Sequence, residues 1–152
     1  MVQEVGEQPG VPAPHRWTVR GDAAGLRPVA AAVTAVAVER GAPASDAARL
    51  ELAVHELLVN AVEHGNGGDP ALPVDIEVAG SAPEPVRIRV GDTGAGGVWT
   101  PPAPGELPPV TVGRGRGLTL VRCAVEALGV RCGPHRTEVT ISVRTGPHDT
   151  CG

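Results

Sequence analysis

At 152 residues, with 13 basic and 17 acidic side chains and a formal charge of −4, the chain is of single-domain size and lacks the basic surplus used against nucleic-acid phosphates. All the basic residues are arginines, which excludes lysine-dependent chemistry such as the P-loop lysine and Schiff bases. Phe and Tyr are absent and the only tryptophans are Trp17 and Trp99, so Val, Leu and Ala must build the core and no base-stacking platform is available.

Residues 1–14 mix Gly, Pro and charge without periodicity and read as a loose tail. His15–Arg20 can form a short strand. Leu26–Arg40 reads as a helix with Pro28 tolerated in its first turn and Gly41 closing it, and Pro43 confirms the break. The apolar run Val29–Val38 inside it is about half the length of a bilayer span, so it reads as a buried helix. Ser45 or Asp46 can cap a second helix running to Gly65. Leu50, Val54, Leu57, Leu58 and Ala61 share one face of it, with Glu56, Asn60 and Glu63 beside them.

Val74–Val78 and Val86–Val90 each alternate apolar and charged residues and are joined by the turn-rich Ala79–Pro85, which predicts a hairpin with one wet face. Pro101, Pro102, Pro104, Pro108 and Pro109 make the stretch between Gly97 and Gly113 a long loop. Leu118–Leu128 predicts a third helix ending at Gly129. Val130–Cys132 and Thr137–Val143 then form a closing pair of strands, and residues 145–152 a second tail. The fold class expected is an α+β two-layer sandwich, with about three helices on one face of a mixed, mostly antiparallel sheet. Cys123, Cys132 and Cys151 are odd in number and scattered, and neither a secretory segment nor a membrane span is present, so a cytoplasmic protein with reduced thiols is expected.

Three short segments carry the chemistry. Glu56-Leu57-Leu58-Val59-Asn60-Ala61-Val62-Glu63-His64-Gly65 offers a carboxylate and a carboxamide four residues apart, hence neighbours on one helix flank. That pair suits Mg²⁺ and proton transfer. Asp92-Thr93-Gly94-Ala95-Gly96-Gly97 is a lone acid at the end of an apolar strand, followed by glycines that allow close approach to a ligand. Gly113-Arg114-Gly115-Arg116-Gly117-Leu118 leads into the third expected helix, where backbone N–H groups can face an anion. Together they describe a nucleotide site. Asp92-Thr93-Gly94-Ala95 also matches the aspartic-protease tetrapeptide, but that fold is nearly all β and this chain has three expected helices. Cys132-Gly133-Pro134-His135 has metal-like spacing without a second pair to complete it, and reads as a turn.

The order Glu-x-x-x-Asn-Ala-x-x-His-Gly, Asp-x-Gly-x-Gly, long loop, Gly-x-Gly-Leu and a final strand with Thr137 is similar, across residues 15–144, to the GHKL ATPase superfamily with its Bergerat ATP-binding fold. The short chain and the segment Gly115-Arg116-Gly117-Leu118-Thr119-Leu120-Val121 most resemble its anti-sigma-factor serine/threonine-kinase branch. The resemblance implies ATP and Mg²⁺ as cofactors. Asn60 would ligate the metal, Glu56 would orient or deprotonate the attacking hydroxyl, and Asp92 would accept a hydrogen bond from the adenine amino group. Gly94 and Gly96 would keep the base pocket open, and Thr137 would bond close to Asp92. Gly113, Gly115, Gly117 and Leu118 would form the phosphate-facing end of a lid, with Arg114 and Arg116 in reach of the phosphates. The partners implied are ATP/ADP, a sigma factor and its antagonist protein, with neither nucleic acid nor membrane; similar proteins often pair as homodimers. The proline-rich lid, without lysine, departs from the family. A catalytically inactive, nucleotide-responsive or nucleotide-free binding module of the same fold is the alternative.

Overall fold

The structure is a computed structural model that describes residues 12–93, 125–132 and 136–146. Strand β1 (His15–Val19) leads through a short 3₁₀ turn to helix α1 (Arg27–Glu39), and a second such turn leads to helix α2 (Ala47–Asn60). The hairpin strands β2 (Val74–Ala79) and β3 (Val86–Gly91) follow, then β4 (Val125–Cys132) and β5 (Thr137–Val143). The strands form one sheet in the order β1-β2-β3-β5-β4, and every pairing is antiparallel.

The period-two pattern of the hairpin sets the layers. Val74, Ile76 and Val78 of β2 and Val86, Ile88 and Val90 of β3 are buried, while Arg87 between them is exposed. Ile76 stands opposite Val90, Val78 opposite Ile88, and Ile88 opposite Ile141 of β5. This apolar face meets Ala30, Val33 and Ala37 of α1 and Leu50, Val54, Leu57 and Leu58 of α2. The result is the expected α+β two-layer sandwich, with an aliphatic core.

α1 carries Pro in its first turn and stops at Gly41, whose φ of +118° lies where an L side chain is strained. Thr34 is buried inside it, and its hydroxyl donates to the Ala30 carbonyl at 2.8 Å. Asp46 occupies the N-cap position of α2 without making the side-chain capping bond.

Two expectations need correction. The third helix expected over Leu118–Leu128 is not continued through its last turn, because residues 125–128 belong to β4; residues 118–124 lie outside the described residues. One edge of β5 is taken by β3, and β4 satisfies the other with Leu128 opposite Ile141 and Val130 opposite Val139, so ladder pairing overrides the local helical pattern. The described sheet is also wholly antiparallel rather than mixed, which the short β2–β3 and β4–β5 connections favour. The second helix differs more subtly. It is regular only to Asn60, and Ala61–Gly65 wind into a wider π turn.

Candidate functional site

The widening at Ala61 coincides with a pocket. The Asn66 N–H donates to the Ala61 carbonyl at 2.8 Å, a five-residue spacing that opens the helix end, and π turns of this kind concentrate at functional sites. Leu57, Asn60, Ala61 and Gly65 from this helix end line one side of a cavity of about 350 Å³, counted out to its open mouth. Val90 and Asp92 from the exit of β3, and Thr137 and Val139 from β5, line the other.

The strand residues reach the pocket by phase. Val86, Ile88 and Val90 point inward, and Asp92 continues the same alternation as a carboxylate where the core pattern calls for another aliphatic residue. Asp92 is 5% exposed. Its backbone N–H donates to the Thr137 carbonyl and its Oδ1 accepts the Thr137 N–H, both at 3.1 Å. Oδ2 lies against Gly65, where an added Cβ would overlap the carboxylate. Gly65 is therefore glycine because Asp92 occupies the space of its side chain. A buried carboxylate with one oxygen bonded and the other on an apolar-walled pocket is suited to a ligand that brings an N–H donor.

Asn60, the last residue of α2, is half-buried at the same pocket, and no group among the described residues bonds its carboxamide. Glu56 sits one turn earlier, half-buried with Oε1 withdrawn from solvent, and is not among the pocket-lining residues. The fold thus brings Asn60, Asp92 and Thr137 together and leaves Glu56 on the adjoining helix flank. Gly94, Gly96, Gly113, Gly115, Arg116, Gly117 and Leu118 lie outside the described residues, as do Arg114 and Trp99. Among the described residues no group of three His, Cys, Asp or Glu side chains is placed to hold a metal ion, and no helix is long and apolar enough to cross a membrane.

Sequence reasoning missed Asn66. It is 2% exposed, its Nδ2 donates to the Leu72 and Pro73 carbonyls, both at 3.2 Å, and its Oδ1 accepts the Thr93 N–H at 2.8 Å. The signal available was Asn66-Gly67, a turn dipeptide directly after a helix end. His55 and Glu77, whose pKa values are both lowered, do not line the pocket. Burial, then the nearby Arg27, lowers His55 against an opposing pull from Glu51. On the outer sheet face the Arg16 hydrogen bond is the chief cause that lowers Glu77, with Arg89 adding to it against desolvation.

Comparison with known proteins agrees with this architecture. Residues 19–143 match the family model described as the histidine kinase-like ATPase domain, and the chain belongs to that family. It is similar to the histidine kinase domain of the blue-light activated histidine kinase from Erythrobacter litoralis, at 26% identity and a TM-score of 0.54, covering 81% of this chain and 64% of that one. A second structure of that kinase matches at 25% identity and a TM-score of 0.54, over 81% of this chain and 41% of that one. The RsbU and RsbW domains of Rv1364c from Mycobacterium tuberculosis match at 25% identity and a TM-score of 0.53, over 91% of this chain and 35% of that one. The chain therefore spans between about a third and two thirds of the length of these structures. No curated protein matches it.

Proposed function

We propose that the chain is an ATP-binding regulatory protein of the cytoplasm, folded as one domain over residues 15–144, that acts as an anti-sigma-factor serine/threonine kinase. In this reading it phosphorylates a Ser or Thr of a small antagonist protein and sequesters a sigma factor when the antagonist is phosphorylated. The observation that carries it is Asp92, buried in phase with the core and placed with Asn60 and Thr137 around one apolar-walled pocket. Membership of the histidine kinase-like ATPase family and the likeness to a structure containing an RsbW domain support it.

Asp92 Oδ2 would accept the adenine amino group, which guanine replaces with a carbonyl, and Leu57, Ala61, Val90 and Val139 would flank the base. Asn60 would contribute one oxygen to Mg²⁺, an ion that ordinarily takes its other ligands from phosphates and water. Held there by Asn60, the ion would supply electrostatic neutralisation of phosphate charge. Glu56 would orient the incoming hydroxyl from the helix flank. Phosphorylation adds about −1.5 to −2 charges to the antagonist, enough to break a complementary contact and exchange partners.

Phosphate incorporation from labelled ATP into candidate antagonist proteins tests the reading. Wild-type protein is expected to label its antagonist and Glu56→Ala to lose the transfer while still binding ATP. Equal labelling by both would remove Glu56 from the chemistry. The position of Glu56 outside the pocket lining favours a second reading, a nucleotide-responsive binding module without turnover. Under that reading neither protein labels any antagonist, and partner capture survives Glu56→Ala.

A further inference from the structure

We infer that Asn66 is a positioning residue of the base pocket, holding the backbone that follows Asp92 and thereby the direction in which the Asp92 carboxylate meets its ligand. The inference rests on the adenine reading of that pocket. Both donor hydrogens and the acceptor of the buried Asn66 carboxamide are spent on backbone groups: the Leu72 and Pro73 carbonyls and the Thr93 N–H. Thr93 Oγ1 donates to the same Pro73 carbonyl at 2.9 Å. The two side chains thus tie the loop after the π turn to the exit of β3.

Asn66 is itself anchored by its N–H to Ala61, and it directly follows Gly65, the residue in contact with the Asp92 carboxylate. Asp92 is held from three directions: by Thr137 N–H on Oδ1, by Gly65 against the carboxylate, and by Asn66 through Thr93. Removing the carboxamide takes the Asn66 partner from the Thr93 N–H and the Leu72 carbonyl and leaves the Pro73 carbonyl to Thr93 Oγ1, a loss that is costly where these groups are partly buried. The Thr137 bond would still retain Asp92 in the sheet. What is lost is the fixed backbone on its other side, so the effect falls on ligand discrimination. Asn66 does not line the pocket and acts only through its neighbours.

The test is titration of the full chain with ATP and with inosine triphosphate, each with Mg²⁺, because the inosine base carries a carbonyl in place of the amino group that Asp92 accepts. Asn66→Ala is expected to lower ATP affinity about tenfold with little change for inosine triphosphate, so that their ratio falls about tenfold. Thr93→Val, at an exposed position, removes only the Oγ1 bond and narrows the ratio about two- to threefold. Val33→Ala, on the buried face of α1, lowers the melting temperature and leaves the ratio alone. An equal loss for both nucleotides in Asn66→Ala, or a wild-type ratio in both Asn66→Ala and Thr93→Val, overturns the positioning role while leaving adenine binding intact. If Asn66→Ala does not fold, Thr93→Val decides alone, and an unchanged ratio overturns the role. Wild-type protein that binds no ATP overturns the adenine reading and this role together.

Discussion

The two faces of the β2–β3 hairpin are built from alternate residues of the same twelve positions, yet they do different work. The inner face is aliphatic and closes against two helices. The outer face is a ladder of opposite charges: Arg16 Nε donates to Glu77 Oε2 at 2.7 Å, and Arg89 Nη2 reaches the same oxygen at 3.4 Å. Arg89 Nη1 then donates to Glu138 at 2.9 Å, and Arg136 pairs with both Glu138 and Asp75. Apolar burial there is traded for matched charges that are solvated in part, so the inner face holds the fold together and the outer face tunes its response to pH. The candidate site forms where the inner face changes character, with Asp92 and Thr137 replacing Val and Ile in the same phase.

The largest effect should come from the inner face. Ile88→Ala removes a fully buried side chain from the centre of the sheet and is expected to cost about 2–5 kcal/mol, read by denaturant unfolding. A cost no greater than that of an outer-face change would erase the distinction between the faces. Next comes the pocket: Gly65→Ala forces a Cβ into the Asp92 carboxylate and should destabilise the chain by about 1–3 kcal/mol. ATP titration of this variant should show weakened binding as Asp92 is displaced; full wild-type affinity would mean that Asp92 does not meet the nucleotide.

The outer face should respond least. Arg16→Ala opens an ion pair whose arginine side chain is 71% exposed, and is expected to change stability by about 1 kcal/mol or less, shrinking further at high salt. Acid should reveal Glu77 on this face, and separately His55 on α2, more clearly. His55 and Glu77 are both held below their ordinary pKa values in the folded chain, so the unfolded chain takes up each proton first as the pH falls. Their stabilisation is complete above the unfolded values of 6.5 and 4.5 respectively, and is lost on acidification through the folded ones. Melting temperatures measured from about pH 8 down to about pH 2 should begin to decline near 6.5. His55→Gln should flatten that first decline and Glu77→Gln the one below 4.5. A melting temperature rising over either window would have the wrong sign.

Much of this arrangement was legible in the residues. Alternation at Val74–Val78 and Val86–Val90 located the hairpin and its two faces, Gly41 located a helix end, and the motif order pointed to Asn60, Asp92 and Thr137, which the fold gathers around one pocket. Less legible were features that exist only once distant segments meet. Ala61–Gly65 keeps a good helical pattern, and its π turn belongs to the meeting of the helix end with Asp92. Asn66 reads as an ordinary turn residue until Thr93 arrives from another strand to receive its bond. Residues 125–128 look helical alone and become strand because β5 offers an open ladder edge.

The most direct test of the central claim, that this pocket binds adenine through Asp92, is calorimetric titration with ATP and GTP in the presence of Mg²⁺, for wild-type protein, Asn60→Ala and Asp92→Asn. Asp92→Asn can keep an oxygen for the Thr137 N–H while placing an amide donor where Oδ2 stands, opposite the adenine amino group. The account predicts ATP binding by the wild type, weaker binding by both variants by about tenfold or more, and no comparable binding of GTP. Equal affinity for ATP and GTP, or ATP binding untouched by Asp92→Asn, would contradict it.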